Sequence, residues 1–152
     1  LVDLKENISE SQKNQLKQSL SLSGLEVLDD KKSILVDKIM NIIIEMIHYD
    51  EEIPKVNYSD FISEKLGYDY TYLSNLFSEV KGIDIQHFII NHKIEKVKEL
   101  ILYDELNLTE IAYRLHYSSV AHLSNQFKKV TGYCPTYFKK IGKIRKVNLE
   151  NL

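Results

Sequence analysis

Residues 73–82 read LSNLFSEVKG, and residues 123–132 read LSNQFKKVTG. Six of these ten paired positions are identical, and the pairs lie 50 residues apart along the chain. Upstream of these stretches, residues 62–68 are similar to residues 111–117, but this pair of segments lies 49 residues apart. One residue is therefore extra in the second copy, and a turn is where such an insertion is tolerated because loop length is adjustable.

The repeat predicts that each copy folds as a short helix, a tight turn and a longer helix that a glycine ends. This order is the helix-turn-helix pattern. Apolar residues at helical spacing should face each other across each turn and form a core. They are Ile62, Leu66, Leu73 and Phe77 in the first copy, and Ile111, Leu115, Leu123 and Phe127 in the second.

Helical spacing and end signals predict seven helices between residues 30 and 140, and the scarcity of glycine and proline supports them. A long helix separates the two copies, and its core stripe is Phe88, Ile89, His92, Val97, Leu100 and Ile101. The predicted ranges are 30–49, with Asp30 as the N-cap, 59–65, 71–81, 85–103, 108–115, 120–131 and 135–140.

The first 29 residues have a different pattern. Residues 1–4 and 25–28 alternate apolar and polar side chains, as strands do, and Ser9 with Gln12 forms a capping box for a helix that Gly24 ends. The predicted fold class is mainly α, with two helix-turn-helix subdomains joined by a long linker helix and a small N-terminal β-α-β fragment. The predicted divisions are 1–29 (fragment), 30–56 (connecting helix and loop), 57–104 (first unit and linker helix), 105–146 (second unit) and 147–152 (tail).

Charge is distributed unevenly, although the net charge of the chain is only −2. Residues 1–56 contain 11 acidic residues against 7 lysines, whereas residues 111–149 contain 8 basic residues and no acidic one. A stretch of one sign in a nearly neutral protein indicates an anionic partner such as nucleic acid. A solvated basic tail without a partner is the alternative that charge alone leaves open.

Other classes of function find little support in the residues. The sequence has no glycine-rich phosphate loop and no pairing of nucleophile and base typical of an enzyme. The histidines lack the spacing of a metal site, so neither a metal nor a cofactor is expected, and His92 is predicted to be a packed core residue. The single Cys134 excludes an internal disulfide and favours a cytoplasmic setting, and no apolar run approaches the length of a membrane span.

The chain resembles the AraC/XylS family of bacterial transcription regulators over residues 57–140. The most specific matches are Glu110-Ile111-Ala112, Tyr117-Ser118-Ser119, Phe127-Lys128-Lys129, Thr131-Gly132, Pro135 and Tyr137-Phe138-Lys139. This resemblance implies a sequence-specific regulator that is cytoplasmic and nucleoid-associated, with double-stranded DNA and RNA polymerase as partners. Residues 1–29 are also similar to the second half of a heavy-metal-associated-like ferredoxin domain, which would offer a route to a homodimer.

In the family, the positions that read bases lie on the exposed face of each second helix. Transferred through the repeat, the predicted base contacts are Thr71, Ser74, Asn75, Val120, Ala121, Ser124 and Asn125. The predicted phosphate contacts are Ser119, Lys128, Lys129, Lys139 and Lys140. Asparagine stands where many members have arginine, so we expect adenine rather than guanine to be read, with Thr71, Val120 and Ala121 against thymine methyl groups.

The predicted linker helix sets a distance between the two units. Nineteen residues span roughly 28 Å at ~1.5 Å per residue, close to the ~34 Å after which B-DNA presents the same groove again. One chain could therefore place both second helices on one side of a duplex.

A helical protein-interaction module without DNA contact is the competing hypothesis, and RNA binding is a lesser one. Salt elution from duplex DNA or heparin would discriminate between DNA binding and the protein-interaction module.

Overall fold

The computed structural model describes residues 10–49, 53, 55 and 57–150. These residues form seven α-helices and no strand. No helix among them is both long enough and apolar enough to cross a membrane. The elements are α1 (Glu10–Ile44), which continues into a π-helical turn (Glu45–Tyr49), then α2 (Tyr58–Leu66), α3 (Tyr70–Lys81), α4 (Ile85–Tyr103), α5 (Leu108–Arg114), α6 (Val120–Thr131) and α7 (Pro135–Glu150).

Two separate hydrophobic cores lie on either side of the linker helix α4. The first core joins the C-terminal half of α1 to α2 and α3, and Ile85 and Ile89 of α4 are buried in it. The second core joins α5 to α6, and Ile94, Val97 and Ile101 of α4 are buried there. The predicted fold class, two helix-turn-helix subdomains joined by a long linker helix, is thereby confirmed, and α4 contributes buried residues to both cores.

The repeat is reproduced in the geometry of the two cores. The rings of Phe77 and Phe88 pack edge-on with centroids 5.4 Å apart in the first unit. Phe127 and Phe138 repeat this contact at 5.4 Å in the second. The predicted core residues across each turn are confirmed, because all of them lie in their unit's cluster.

The turns also explain the change of offset along the repeat. Gly67 ends α2 in the left-handed conformation at φ 73°, and His116 occupies the matching position of the second unit at φ 60°. The N-caps of the two second helices, Asp69 and Ser119, are again 50 residues apart. The inserted residue therefore lies between His116 and Ser119, within the turn where it was predicted.

The predicted strand at residues 25–28 is wrong, because α1 runs without a break from Glu10 through this segment. Gly24 therefore does not end a helix, and Asp30 is not an N-cap. A strand would leave its backbone groups without a partner strand, whereas a helix satisfies them locally, and one internal glycine costs only about 1 kcal/mol. The other predicted strand, at residues 1–4, lies outside the described residues.

The last helix is longer than predicted, since α7 extends to Glu150 rather than ending at Lys140. It packs against the C-terminal end of α4, where Gly142 lies so close to Leu102 that a Cβ atom would collide with that side chain. Asp104, just after α4, also forms ion pairs with Lys139 and Lys143 of α7. The basic segment is therefore an ordered helix attached to the linker, which composition alone did not reveal.

A histidine pair joins the π-helical turn to α4. His48 Nε2 and His92 Nδ1 are 2.9 Å apart, so one ring donates its N–H and the other accepts. The His92 ring also packs 4.4 Å from the ring of Phe88, in agreement with its predicted role in packing. Burial is the main cause that lowers the pKa of both histidines below the usual 6.5, and for His48 the neighbouring His92 and Lys96 lower it further.

This pair predicts a loss of stability in mild acid. Because both pKa values are lower in the folded state, the unfolded chain takes up more protons as the pH falls below 6.5, and the free energy of unfolding decreases. Thermal unfolding at about pH 7.5 and about pH 5.5 measures this loss. The double variant His48→Gln/His92→Gln should lose less stability between these pH values than the wild type. His87→Gln, which leaves the pair intact, should keep the full loss, and an equal loss in all three proteins would contradict the prediction.

Candidate nucleic-acid interface

The two second helices, α3 and α6, carry all seven predicted base-contact residues. On α3, Thr71 and Asn75 are exposed and Ser74 is half-buried. On α6, Ala121 and Asn125 are exposed in the same register. Val120 and Ser124 are half-buried, and Val120 packs against the second core. Each helix therefore presents one exposed asparagine at the same place in its unit.

Each of these helices buries one face and leaves the other accessible. On α6, Leu123 and Phe127 are fully buried, which turns Asn125 outward because residues two apart on a helix point to different sides. Leu73 and Phe77 do the same for Asn75 on α3. The core positions of the repeat thus fix which side chains the protein can offer to a partner.

The N-terminus of α6 is capped by a predicted phosphate contact. Ser119 Oγ accepts a hydrogen bond from the backbone N–H of His122 at 3.0 Å. This bond uses the oxygen as an acceptor and leaves the hydroxyl proton to donate. At the matching position of α3, the side chain of Asp69 forms no cap hydrogen bond. Its carboxylate also places a negative charge at the start of α3, whereas Ser119 places none at the start of α6. The start of α6 is therefore the better site for a phosphate.

Ser74, a predicted base contact of the first unit, lies one turn after Tyr70 on the same helix. The pKa of Tyr70 is raised chiefly by burial and further by Asp84, while the hydroxyl of Ser74 opposes the rise. The nearby rings of Tyr68 and Tyr72 stack with centroids 5.6 Å apart, and both are about half exposed. The first unit therefore exposes aromatic surface in the turn before α3, at Tyr68, as well as on α3 itself, at Tyr72.

The predicted phosphate contacts fall into two groups. Lys128, Lys129 and Lys140 are exposed. Lys139 is less exposed, and its ammonium is paired with Asp104 at the end of α4. The structure therefore gives Lys139 a role in attaching α7, which the sequence did not indicate, and leaves the other three lysines at the surface.

Charge differs between the two units at equivalent positions. Where α6 has Lys128 and Lys129, α3 has Ser78 and Glu79. Glu79 is exposed, and its carboxylate lies 3.8 Å from the ammonium of Lys32 in α1. The second unit is consequently the more attractive of the two for an anion.

Sequence reasoning missed the group of residues that joins the units. Lys93 in the middle of α4 lies between the rings of Tyr58 and Tyr117, which belong to different units. The cap that starts α5 was also missed. There Asn107 Oδ1 accepts from Glu110 N–H and Glu110 Oε1 accepts from Asn107 N–H. The spacing of Asn107 and Glu110 could have revealed the cap, whereas nothing in the sequence marks Lys93.

Comparison with known proteins places these features in a family. A family described as "Helix-turn-helix domain" matches residues 62–141. An uncharacterized HTH-type transcriptional regulator of Staphylococcus aureus is 29% identical over 110 residues, which are 71% of this chain. YtdP of Bacillus subtilis, of the same description, is 26% identical over 98 residues. The chain spans only 14% and 12% of the length of these two relatives.

Solved structures agree with this assignment. The C-terminal domain of AraT, a response regulator from Geobacillus stearothermophilus, is 27% identical and has a TM-score of 0.59 over 70% of this chain and 84% of its own. The C-terminal domain of the response regulator yesN from Fusobacterium nucleatum is 29% identical, with a TM-score of 0.56 over 68% of this chain and 95% of its own. The DNA-binding domain of AdpA, solved in complex with a target DNA, shares the fold at 14% identity and a TM-score of 0.59, over 72% of this chain and 94% of its own. The chain therefore belongs to the helix-turn-helix family of AraC-type DNA-binding domains.

Proposed function

We propose that the chain binds one DNA duplex with α3 and α6 in two successive segments of the major groove, and that it does so as a single chain. The observation that carries this proposal is the pair of outward faces on α3 and α6, held apart by the continuous 19-residue helix α4. At ~1.5 Å per residue α4 measures roughly 28 Å, which suits grooves that recur every ~34 Å. Regulation through contact with RNA polymerase is part of the same proposal.

Within this complex the two units do different work. Lys128, Lys129 and Lys140 contact phosphates, together with the hydroxyl of Ser119 at the start of α6. Their charges fix the position of the protein on DNA without reading its sequence. Asn75 and Asn125 read base edges, and an asparagine amide suits the N6 and N7 atoms of adenine. The second unit supplies most of the affinity, and the first refines the register.

Selection of binding sequences from a random pool of duplexes tests the two-groove proposal. We expect a site with two conserved halves whose centres lie about one helical turn apart. A duplex that keeps only one half should bind far more weakly than the complete site. A single conserved half would contradict the proposal, and a lack of retention on duplex DNA at low salt would favour the protein-interaction module instead.

The phosphate role of α6 predicts a change in salt dependence. Neutralising Lys128 and Lys129 in the double variant Lys128→Gln/Lys129→Gln should reduce the slope of log affinity against log salt by about two, because each phosphate contact contributes about 0.9. The matched control is Lys31→Gln/Lys38→Gln, which removes the same charge from two exposed positions of α1. An unchanged slope in the first variant, or an equal change in both, would refute the assignment.

A further inference from the structure

The two helix-turn-helix units meet around the amine of Lys93, near the middle of α4. Its Nζ atom lies 5.9 Å from the ring centroid of Tyr58, at the start of α2 in the first unit. It lies 5.1 Å from the ring centroid of Tyr117, in the turn before α6 of the second unit. The ammonium thus bridges one ring from each unit, at a distance where the face of an aromatic ring attracts a cation.

Lys93 differs from the other two lysines of α4 in having no ion-pair partner among the described residues. Lys96 and Lys98 form ion pairs with Glu99 and Glu95, one turn away on the same helix. Lys93 has no such carboxylate partner among the described residues, and burial lowers its pKa. Lys93 is half-buried, and withdrawing part of a charge from water without a counterion opposes folding, a cost that an apolar side chain of similar length would avoid. Stability alone therefore does not explain a lysine here.

The contacts of Tyr117 continue the link to the DNA-facing helix. Its hydroxyl donates to Gln126 Oε1 at 2.6 Å, and Gln126 is the neighbour of Asn125 on α6. On the other side, the Tyr58 hydroxyl is buried without a hydrogen-bond partner among the described residues, so Tyr58 contributes through its ring. A continuous set of contacts thus runs from the first residue of α2 to the half-buried Gln126 of α6, which precedes Phe127 and follows the exposed Asn125.

We propose that these four residues, Tyr58, Lys93, Tyr117 and Gln126, form a junction that sets the spacing between the two DNA half-sites. The proposal rests on two-groove binding as described above. Attraction of a cation by a ring requires the cation over the ring face, so a rotation of either unit about α4 removes one of the two contacts. Lys93 is accordingly a positioning residue, which fixes the orientation of α6 relative to α3 without touching DNA.

The test compares duplexes that differ only in spacing. The probe is the complete site selected by the wild-type chain, and a second duplex carries one extra base pair between the halves. One base pair turns the second half by roughly 34–36° about the duplex axis. The wild type should bind the extended duplex at least about tenfold more weakly, whereas Lys93→Met should lose most of this discrimination. Lys93→Met should also unfold at the same or a higher temperature than the wild type, which separates loss of positioning from loss of folding.

Two further variants serve as controls. Lys93→Arg keeps a cation over both rings and should keep the discrimination. Lys98→Met removes an equal charge from the same helix outside the junction and should behave as the wild type. If the wild type discriminates and Lys93→Met discriminates equally, the junction proposal is wrong while two-groove binding stands. If the wild type itself binds both duplexes equally, two-groove binding is wrong and the junction proposal falls with it.

Discussion

Replacing Phe127 with alanine should lower the free energy of unfolding by about 3–5 kcal/mol, because the ring is fully buried and its removal leaves a cavity. The loss includes the edge-on contact with Phe138, since such ring pairs contribute about 0.5–1.5 kcal/mol beyond the area they bury. Urea unfolding measures the change. Tyr113→Ala is the matched control, because Tyr113 is 85% exposed on α5 and should cost less than about 0.5 kcal/mol.

The location of the damage is a second part of this prediction. The two cores share no buried residue, so a cavity at Phe127 should open the second unit first. Amide hydrogen exchange should then rise in α5 and α6 more than in α2 and α3. Phe77→Ala, at the equivalent place in the first unit, should reverse the pattern. A uniform rise in all four helices would show that the units unfold together and would overturn the separation proposed here.

The repeat made most of the helical region predictable. The bounds of α4 and α6 agree with the prediction to the residue, and those of α3 differ by one. Glycine endings and apolar spacing are local properties, so they can be recognised without tertiary contacts. The position of the inserted residue in the turn followed from the change of the repeat offset from 49 to 50 residues, which is visible in the sequence alone.

The N-terminal segment and α7 were not predictable in this way. Residues 25–28 alternate as a strand does, but a strand requires a partner strand, and alternation cannot supply one. Lys139 and Lys140 look alike in the sequence as part of one basic stretch. The distinction between them depends on Asp104, 35 residues earlier, which reaches Lys139 only because α7 packs on the end of α4. Long-range pairing of this kind leaves no periodic signal.

In the candidate site, too, some features follow from local sequence and others depend on long-range packing. Exposure of Asn75 and Asn125 follows from the repeat, because the buried positions beside them fix the outward face. The Lys93 junction does not follow from it. Tyr58, Lys93 and Tyr117 come from three separate segments of the chain, and only the packing of both units on α4 brings them together.

Asn125→Ala should weaken binding to the selected site by about 1–3 kcal/mol and remove the preference at one base pair. The amide is exposed on α6, so its truncation leaves no cavity, and the melting temperature should stay near that of the wild type. Asn41→Ala, an exposed asparagine on α1, is the matched control and should leave affinity unchanged. The prediction is contradicted if Asn125→Ala binds the selected site as tightly as the wild type does and still prefers the same base at every position of that site.

A substitution that changes the reading, rather than removing it, separates recognition from general attraction. Arginine binds the O6 and N7 atoms of guanine with two hydrogen bonds, whereas asparagine suits adenine. Asn125→Arg should therefore shift the preferred base at that position from adenine to guanine when selection is repeated. A non-specific gain from the added positive charge would instead tighten binding to all duplexes by a similar factor and steepen the salt dependence. The position of the changed base would identify the base pair that faces Asn125, and the same experiment with Asn75→Arg would identify its counterpart in the other half. If the two altered positions lie about one helical turn apart, the two asparagines read successive groove segments from a single chain.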